Sequence, residues 1–261
     1  MSYLHYHFPD EITAFSTCRD GGVGEGAYTS FNCTHYCGDN PRHVAINRQR
    51  LCDDWLIPSD RSIIPRQVHG TDVTVIDDTF LALPSAVREQ MLDGVDAIIS
   101  PLSDVCLAIS TADCIPILLY DTRTRVIAAI HAGWRGTVAR IVSLTLRQMA
   151  ALYGTRGTDV RAVIGPGISV ESFEVGDEVY EAFRKADFPM EDIARRYEKW
   201  HIDLWEANRL QLLDEGLLPE SIEMANVCTY QHVDRFFSAR RLGIHSGRIL
   251  TAIMRQGMNK L

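Results

Sequence analysis

The sequence lacks an apolar run long enough to cross a bilayer. Its longest apolar stretch, residues 105–120, is interrupted by Asp113 and Pro116 and is shorter than the roughly 20 residues that a membrane-spanning helix needs. The first ten residues contain two histidines, an aspartate and a proline, where a secretion signal would have a basic and then an apolar region. We therefore expect a cytoplasmic protein that does not associate with membranes.

Basic residues are too few to favour a nucleic-acid partner. The chain has 26 Lys and Arg against 34 Asp and Glu, a formal net charge of −8, whereas binding a nucleic-acid polymer requires clustered cations that neutralise many phosphates. A small anion is still a possible ligand, because one or two arginines and some backbone amides are enough to bind a phosphate.

The cysteines do not form the pattern of a disulfide framework, since they number seven and are irregularly spaced. Without a secretion signal, we expect reduced thiols that serve in packing, as metal ligands or as nucleophiles. A hydrophobic content of 46% is enough for a sizeable core. Because no repeat or long linker divides the chain, we expect a single domain over residues 1–261.

Short apolar segments in the middle of the chain predict buried strands at residues 96–100, 105–110, 115–120 and 126–131. Their apolarity is continuous rather than alternating, which indicates that both faces of each strand are covered. After Gly136, apolar residues at helical spacing, up to Leu152, predict one face of a helix that ends at Gly154. The order of elements is not a strict βαβ series. We therefore expect a mixed α/β (α+β) layered fold with mixed β-sheets flanked by helices.

Three segments place metal-binding or nucleophilic side chains where predicted strands meet glycine or proline. They are residues 66–70, 111–116 and 131–136, and they contain His69, Cys114 and His131. Two imidazoles and one thiolate leave a fourth position open, which is the composition of a catalytic zinc site. Cys114 and His131 can alternatively act as a nucleophile and its base, and each residue alone can be a simple packing or surface group.

Two arginines are candidate ligands for an anion. Arg135 follows Trp134 at the predicted start of a helix, where backbone amides and a guanidinium can act together. Arg19 precedes a glycine-rich turn at residues 21–26 that lacks the dinucleotide-binding fingerprint. Either arginine can equally be a surface group in an ion pair.

The strings Gln67-Val68-His69-Gly70, Thr111-Ala112-Asp113-Cys114 and His131-Ala132-Gly133-Trp134-Arg135-Gly136, in that order, closely resemble the YfiH-like laccase-domain family. This family was formerly called multicopper polyphenol oxidases and is now grouped with purine nucleoside phosphorylases. The resemblance extends over nearly the whole chain. The sequence departs from the family at Cys18, where Thr or Ser is usual, and at Gly24, where Ser is common.

The resemblance implies that His69, Cys114 and His131 are the catalytic metal ligands, and that Arg19, Ser30, Asn32 and Arg135 bind the substrate. It implies a zinc-dependent phosphorylase, with copper as the other possible metal. The implied reaction converts adenosine, inosine and methylthioadenosine with phosphate to the free base and ribose 1-phosphate, and adenosine deamination is a second activity. The sequence lacks the usual zinc deaminase signature, so deamination would use a different scaffold. We expect a monomer or a small homo-oligomer.

Other functions stay open. A copper-dependent polyphenol oxidase is compatible with two histidines and a cysteine as ligands. However, nine histidines with one H-x-H pair, at His5 and His7, are too few for a complete multicopper centre. A Cys-dependent amidohydrolase that edits peptidoglycan precursors would use Cys114 as its nucleophile. A protein that only binds a nucleoside is the non-enzymatic alternative.

Overall fold

The strands and helices below come from a computed structural model of the protein, which describes residues 1–257. The strands are β1 Tyr3–His5, β2 Ile12–Thr17, β3 Ser62–Ile63, β4 Val73–Val75, β5 Ala97–Ser100, β6 Cys106–Thr111, β7 Ile115–Asp121, β8 Ile127–Ala132, β9 Val160–Ile164, β10 Glu174–Val175, β11 Ala194–Arg196, β12 Trp200–Ile202, β13 Ile222–Met224 and β14 Ile249–Arg255. The α-helices are α1 Pro41–Trp55, α2 Asp78–Leu81, α3 Ser85–Met91, α4 Trp134–Val138, α5 Ile141–Tyr153, α6 Asp177–Lys185, α7 Met190–Ile193, α8 Leu204–Asp214 and α9 Ala239–Leu242. Within residues 1–257, no helix has both the length and the apolarity that crossing a membrane requires.

The strands form two large sheets and one small sheet. The five-stranded sheet has the order β1-β2-β14-β6-β3, and the six-stranded sheet has the order β13-β9-β7-β8-β5-β4. Both are mixed: β3 pairs in parallel with β6 and β4 with β5, while β7 pairs antiparallel with β8. The small sheet has the order β10-β12-β11.

The two large sheets pack face to face between layers of helix. Because successive side chains of a strand point to opposite faces, Leu107 of β6 joins Leu118 of β7 in the core between the sheets. The outer face of the six-stranded sheet is covered by α5, α6 and α8. Leu51 of α1 packs in the cluster on the outer face of the five-stranded sheet. The expected mixed α/β fold with sheets flanked by helices is confirmed.

The predicted central strands are confirmed, and every residue of β5 to β8 is buried. The helix predicted after Gly136 differs from the structure, because the chain forms α4 and α5 with a break at Arg140, whose φ of 63° is left-handed. Leu152 does not share the buried face of α5. It lies in the last turn of the helix, beside Gly154, and is 54% exposed.

Two leucines of α5 provide a matched test of this packing. We expect Leu146→Ala to lower the free energy of unfolding by about 2–5 kcal/mol, because Leu146 is 4% exposed and its removal leaves a cavity. Leu152→Ala should change it by less than about 0.5 kcal/mol. Urea denaturation of both variants measures the difference, and equal losses would contradict the packing.

Candidate metal centre

The three predicted ligands lie together in the structure. His69 is in the loop between β3 and β4, Cys114 precedes β7 and His131 is in β8. Their donor atoms all lie within 4.8 Å of one another. The antiparallel pairing of Ile115 with Ala132 explains the approach of Cys114 to His131, since it sets the start of β7 beside the end of β8. His131 is buried, Cys114 is half-buried and His69 is exposed.

Gly133 makes this close approach possible. A Cβ atom at position 133 would lie 2.8 Å from Cδ2 of His69 and 3.1 Å from Sγ of Cys114. Real Cβ atoms hardly ever come so close to other heavy atoms, so any larger residue would displace two of the three donors. The loops around the centre are also tightly turned, because His69 has a φ of 63° and Asp113 a φ of 82°, both in the left-handed region that few non-glycine residues adopt.

A buried carboxylate, Asp96, holds two of the three donors. Its Oδ1 accepts a hydrogen bond of 2.7 Å from Nδ1 of His131, which leaves Nε2 of that ring to face a metal. Its two oxygens also accept the backbone amides of Val68, His69 and Gly70 at 3.2, 3.0 and 2.7 Å. Asp96 has no exposed surface. A carboxylate behind a ligating histidine fixes the ring's tautomer and orientation.

The charges of the centre favour a thiolate. Burial raises the pKa of the Cys114 thiol, but the His131 imidazolium and hydrogen bonds from both histidines outweigh burial and lower that pKa to about 6. Burial lowers the pKa of His131, whereas the Cys114 thiolate and Asp96 raise it, with a net result of about 9. Without a metal, the pair therefore exists near neutral pH as thiolate and imidazolium.

A thiolate at Cys114 should make this cysteine the first to be alkylated. In metal-free protein at pH 7, we expect iodoacetamide to modify Cys114 before the other six cysteines, because the thiolate is the reactive form. The others are all buried, and the pKa of the Cys33 and Cys106 thiols is raised to about 12 by burial. Peptide mass spectrometry over time measures the order of labelling, and bound metal should protect Cys114. Faster labelling of a buried cysteine would contradict this electrostatic description.

The chemistry of the donors fits a metal ion. Two imidazole nitrogens and a thiolate are ligands of both zinc and copper, and three protein ligands leave a position for substrate or water. The lowered thiol pKa fits as well, because a metal binds the deprotonated thiol. Among residues 1–257, His69, Cys114 and His131 form the one group of three or more His, Cys, Asp or Glu side chains whose donor atoms lie close enough together to hold a metal ion.

A cavity of about 800 Å³ opens over the three donors. Aromatic side chains contribute to its wall, and Gln67 and Ser110 add polar groups. In the sequence, the aromatic and basic run at residues 236–241, which contains Arg240, can either close over a site or pack beside a solvated basic pair, and the second interpretation is favoured there. No local pattern marks Phe173 or His245 as a site residue. The remaining lining residues are Tyr36, Cys37, Gly38, Thr111, Ala112, Asp113, Trp134, Ile168, Ala239, Ile244 and Arg248.

The four residues expected to bind substrate are not part of this lining within residues 1–257. Arg19 donates from Nε to the carbonyl of Thr29 and from Nη1 to that of Val233. Ser30 bonds through its hydroxyl to the carbonyl of Arg19 at 2.9 Å. These two residues brace the glycine-rich loop against the rest of the protein.

Asn32 and Arg135 both contact residues of the cavity wall but do not line the cavity themselves. Asn32 has no exposed surface, and its Oδ1 accepts the backbone amide of Arg248 at 3.1 Å. It therefore supports the wall from behind. Arg135 is exposed, and its guanidinium stacks over the ring of Trp134 at 4.1 Å. Trp134 lines the cavity, whereas Arg135 does not.

Comparisons with known proteins agree with the motifs and the fold. Residues 13–256 match the family model described as multi-copper polyphenol oxidoreductase laccase. A purine nucleoside phosphorylase of Bacteroides thetaiotaomicron is 53% identical over 246 residues, which cover 93% of this chain and 91% of that protein. A protein from an unknown prokaryotic organism, named adenosine deaminase RL5, is 42% identical over 253 residues, covering 94% of each chain.

Solved structures share the fold. The crystal structure of YlmD from Geobacillus stearothermophilus has a TM-score of 0.91 and 29% identity, and the match covers 98% of this chain and 97% of that one. Identity and coverage of this extent establish common ancestry over nearly the whole chain. The protein therefore belongs to the multi-copper polyphenol oxidoreductase laccase family, the YfiH-like family that its three motifs indicate.

Proposed function

We propose that the protein is a zinc-dependent purine nucleoside phosphorylase that also deaminates adenosine. The proposed substrates are adenosine, inosine and methylthioadenosine, together with inorganic phosphate. The observation that carries the proposal is a cavity of about 800 Å³ in which His69, Cys114 and His131 share the lining with two arginines. The activities for which the relatives are named support the choice.

The cavity suits a nucleoside in size and in chemistry. Its volume of about 800 Å³ falls within the range of about 300–1,000 Å³ that is typical of small-molecule sites. Tyr36, Trp134 and Phe173 line it and offer aromatic surfaces on which a purine can stack. Gln67 and Ser110 provide polar atoms for orienting a base or a sugar.

In phosphorolysis, an oxygen of phosphate forms a bond to C1′ of the ribose while the bond from C1′ to N9 of the purine breaks. The electron pair of the broken bond stays on N9, which takes up a proton as the base leaves. Positive charge builds on the ribose and negative charge on the base, so an anion beside the sugar and donors around the base lower the barrier.

The residues of the centre have distinct parts in this proposal. His69, Cys114 and His131 would hold the ion, which supplies a Lewis-acidic positive charge inside the cavity when it is bound. Asp96 keeps a proton on Nδ1 of His131 and so leaves Nε2 as the donor atom.

The four other sequence-predicted residues act indirectly in this proposal. Asn32 positions Arg248 through its backbone amide, and Arg135 supports Trp134 by stacking. Arg19 and Ser30 hold the neighbouring loop in place. We therefore expect substitutions at these positions to disturb the shape of the cavity.

One geometric observation favours a second candidate function, a Cys-dependent hydrolase. Asp96, His131 and Cys114 are arranged as an orienting carboxylate, a base and a nucleophile, the arrangement of cysteine hydrolases. In that case Cys114 would attack an amide carbonyl directly. Activity that survives removal of all metal would favour this function.

The test is to load the purified protein with zinc and supply adenosine, with and without phosphate. With phosphate, we expect adenine, together with hypoxanthine from the inosine that deamination forms, and ribose 1-phosphate in an amount equal to their sum. Without phosphate, we expect inosine only. Chelation of the metal should stop both reactions. Oxidation of a phenol by copper-loaded protein, without release of any base, would instead support a polyphenol oxidase.

A further inference from the structure

Both arginines of the cavity lining come from one part of the chain, residues 239–248, which we call the 239–248 segment. It consists of α9 and the loop that follows, and it contributes Arg240, His245 and Arg248 to the wall. The protein as a whole has a net charge of −8. Two arginines in one cavity wall therefore run against the net charge of the protein, and such a local concentration of positive charge attracts anions.

Among residues 1–257, Asp113, the carboxylate in the same lining, forms no ion pair with either arginine. Oδ1 of Asp113 accepts the hydroxyl of Thr229 at 2.7 Å, and Oδ2 accepts the backbone amide of Arg240 at 2.6 Å. Both oxygens thus accept hydrogen bonds from neutral groups, and Oδ2 holds the first turn of the 239–248 segment. Because Asp113 directly precedes Cys114, these bonds fix the start of α9 next to the metal centre.

The guanidinium of Arg240 is anchored without losing its charge. Nη1 and Nη2 each donate to the carbonyl oxygen of Glu174 at 3.1 Å, and the group lies 5.5 Å from the centre of the Phe173 ring. Within residues 1–257, no carboxylate forms an ion pair with Arg240. A guanidinium has five N–H donors, so three of them are left for a ligand.

Arg248 uses its guanidinium differently. Nη1 donates to the carbonyls of Ser246 and Gly247, at 2.6 and 3.0 Å, and Nη2 donates to that of Ile244 at 2.9 Å. These bonds fold the loop of the 239–248 segment over the cavity. Arg248 therefore shapes the loop, whereas Arg240 keeps most of its donors for a ligand.

We propose that the 239–248 segment forms the phosphate subsite, in which Arg240 binds the anionic co-substrate and Arg248 positions the loop around it. The proposal rests on the proposed phosphorolysis. A planar guanidinium with parallel N–H donors matches two phosphate oxygens, and anchoring on a neutral carbonyl places it without cancelling its charge. Arg19 and Arg135, the arginines that the sequence suggests as anion ligands, are not among the described residues that line this cavity.

Arg240→Gln tests the subsite, with Arg241→Gln as the matched control. We expect Arg240→Gln to raise KM for phosphate about 10- to 100-fold, the effect of losing charge-assisted hydrogen bonds, with little change in KM for adenosine. Arg240→Lys should give an intermediate KM for phosphate, because lysine keeps the positive charge but lacks the paired N–H donors of a guanidinium. Arg241 also lies in α9, but it stacks on Tyr230 at 5.0 Å, so Arg241→Gln should leave KM for phosphate unchanged.

Deamination supplies an internal reference, because it consumes no phosphate. At low phosphate, the ratio of phosphorolysis to deamination should fall in Arg240→Gln and recover as phosphate is raised. An unchanged KM for phosphate in Arg240→Gln, or an equal increase in Arg241→Gln, would overturn the subsite while the proposed function stands.

Direct binding separates the two proposals if the wild-type protein releases no ribose 1-phosphate. That result removes the proposed function, and titration calorimetry with inorganic phosphate alone then tests the subsite. If phosphate binds to the wild type and to Arg241→Gln but not to Arg240→Gln, the result supports an anion site at Arg240. Equal binding by wild type and Arg240→Gln, or no binding by either, overturns it.

Discussion

Replacement of Cys114 by alanine is expected to remove the bound metal and the activity together. The thiolate is one of three donors within 4.8 Å of one another, and two histidines alone leave an ion weakly held. Loss of the several kcal/mol of transition-state stabilisation that a metal supplies corresponds to a fall in kcat/KM of about 10³-fold or more. Elemental analysis and steady-state kinetics on the same preparation measure both effects.

Cys52→Ala is the matched control for this substitution. Cys52 is a buried thiol in α1, remote in the fold from the strand ends that carry the metal centre, so the variant should keep its metal and its kcat/KM. Loss of activity in Cys114→Ala with full metal content would contradict the role of Cys114 as a ligand and support its role as a nucleophile.

Replacement of Asp96 by asparagine is expected to weaken metal binding and destabilise the fold. Asparagine keeps the size of the side chain but removes the charge that holds the His131 imidazolium and the amides of the His69 loop. Loss of such a carboxylate behind a histidine ligand typically costs about 10- to 100-fold in metal affinity. Breaking a buried ion pair from one side costs about 3–5 kcal/mol.

Competition with a chelating dye measures the metal affinity of Asp96→Asn, and urea denaturation of the metal-free protein measures its stability. Asp93→Asn is the control, because Asp93 pairs with Arg66 in an exposed ion pair, which is typically worth about 0–1 kcal/mol. Equal effects of the two variants would show that Asp96 contributes only as one more ion pair.

Much of the central architecture follows from local sequence features. Continuous runs of Val, Ile and Leu at residues 96–131 predict strands buried on both faces, and β5 to β8 have that character. The three candidate ligands are recognisable because each belongs to a motif that also contains glycine or proline. The approach of Cys114 to His131 follows from the pairing of β7 with β8, which are neighbours in the sequence, whereas the His69 loop is held at the centre by Asp96.

Residues whose roles depend on pairing between distant segments were not predictable. Asp96 reaches His131 because Ala97 pairs with Ile130 in the register of β5 and β8, and no local pattern encodes that register. Arg240 reaches the cavity through a bond from its amide to Asp113, which lies 127 positions earlier. In the sequence, no feature distinguishes Arg240, which lines the cavity, from its neighbour Arg241, which does not.

The expected contact of Asn32 with substrate illustrates a different difficulty. The family motif indicates that the residue matters but not how it acts. Asn32 is fully buried behind the wall, where Oδ1 accepts the amide of Arg248. Its importance would therefore lie in shaping the cavity. Only the packing of the loops distinguishes this role from a direct contact.

The most direct test of phosphorolysis at this centre is ³¹P NMR of zinc-loaded protein with adenosine and phosphate. We predict that the ribose 1-phosphate seen by ³¹P NMR equals the sum of adenine and hypoxanthine measured by chromatography of the same samples, and that Cys114→Ala forms none of these products. If wild-type protein that holds one zinc ion per chain forms no ribose 1-phosphate, this result would contradict the proposal.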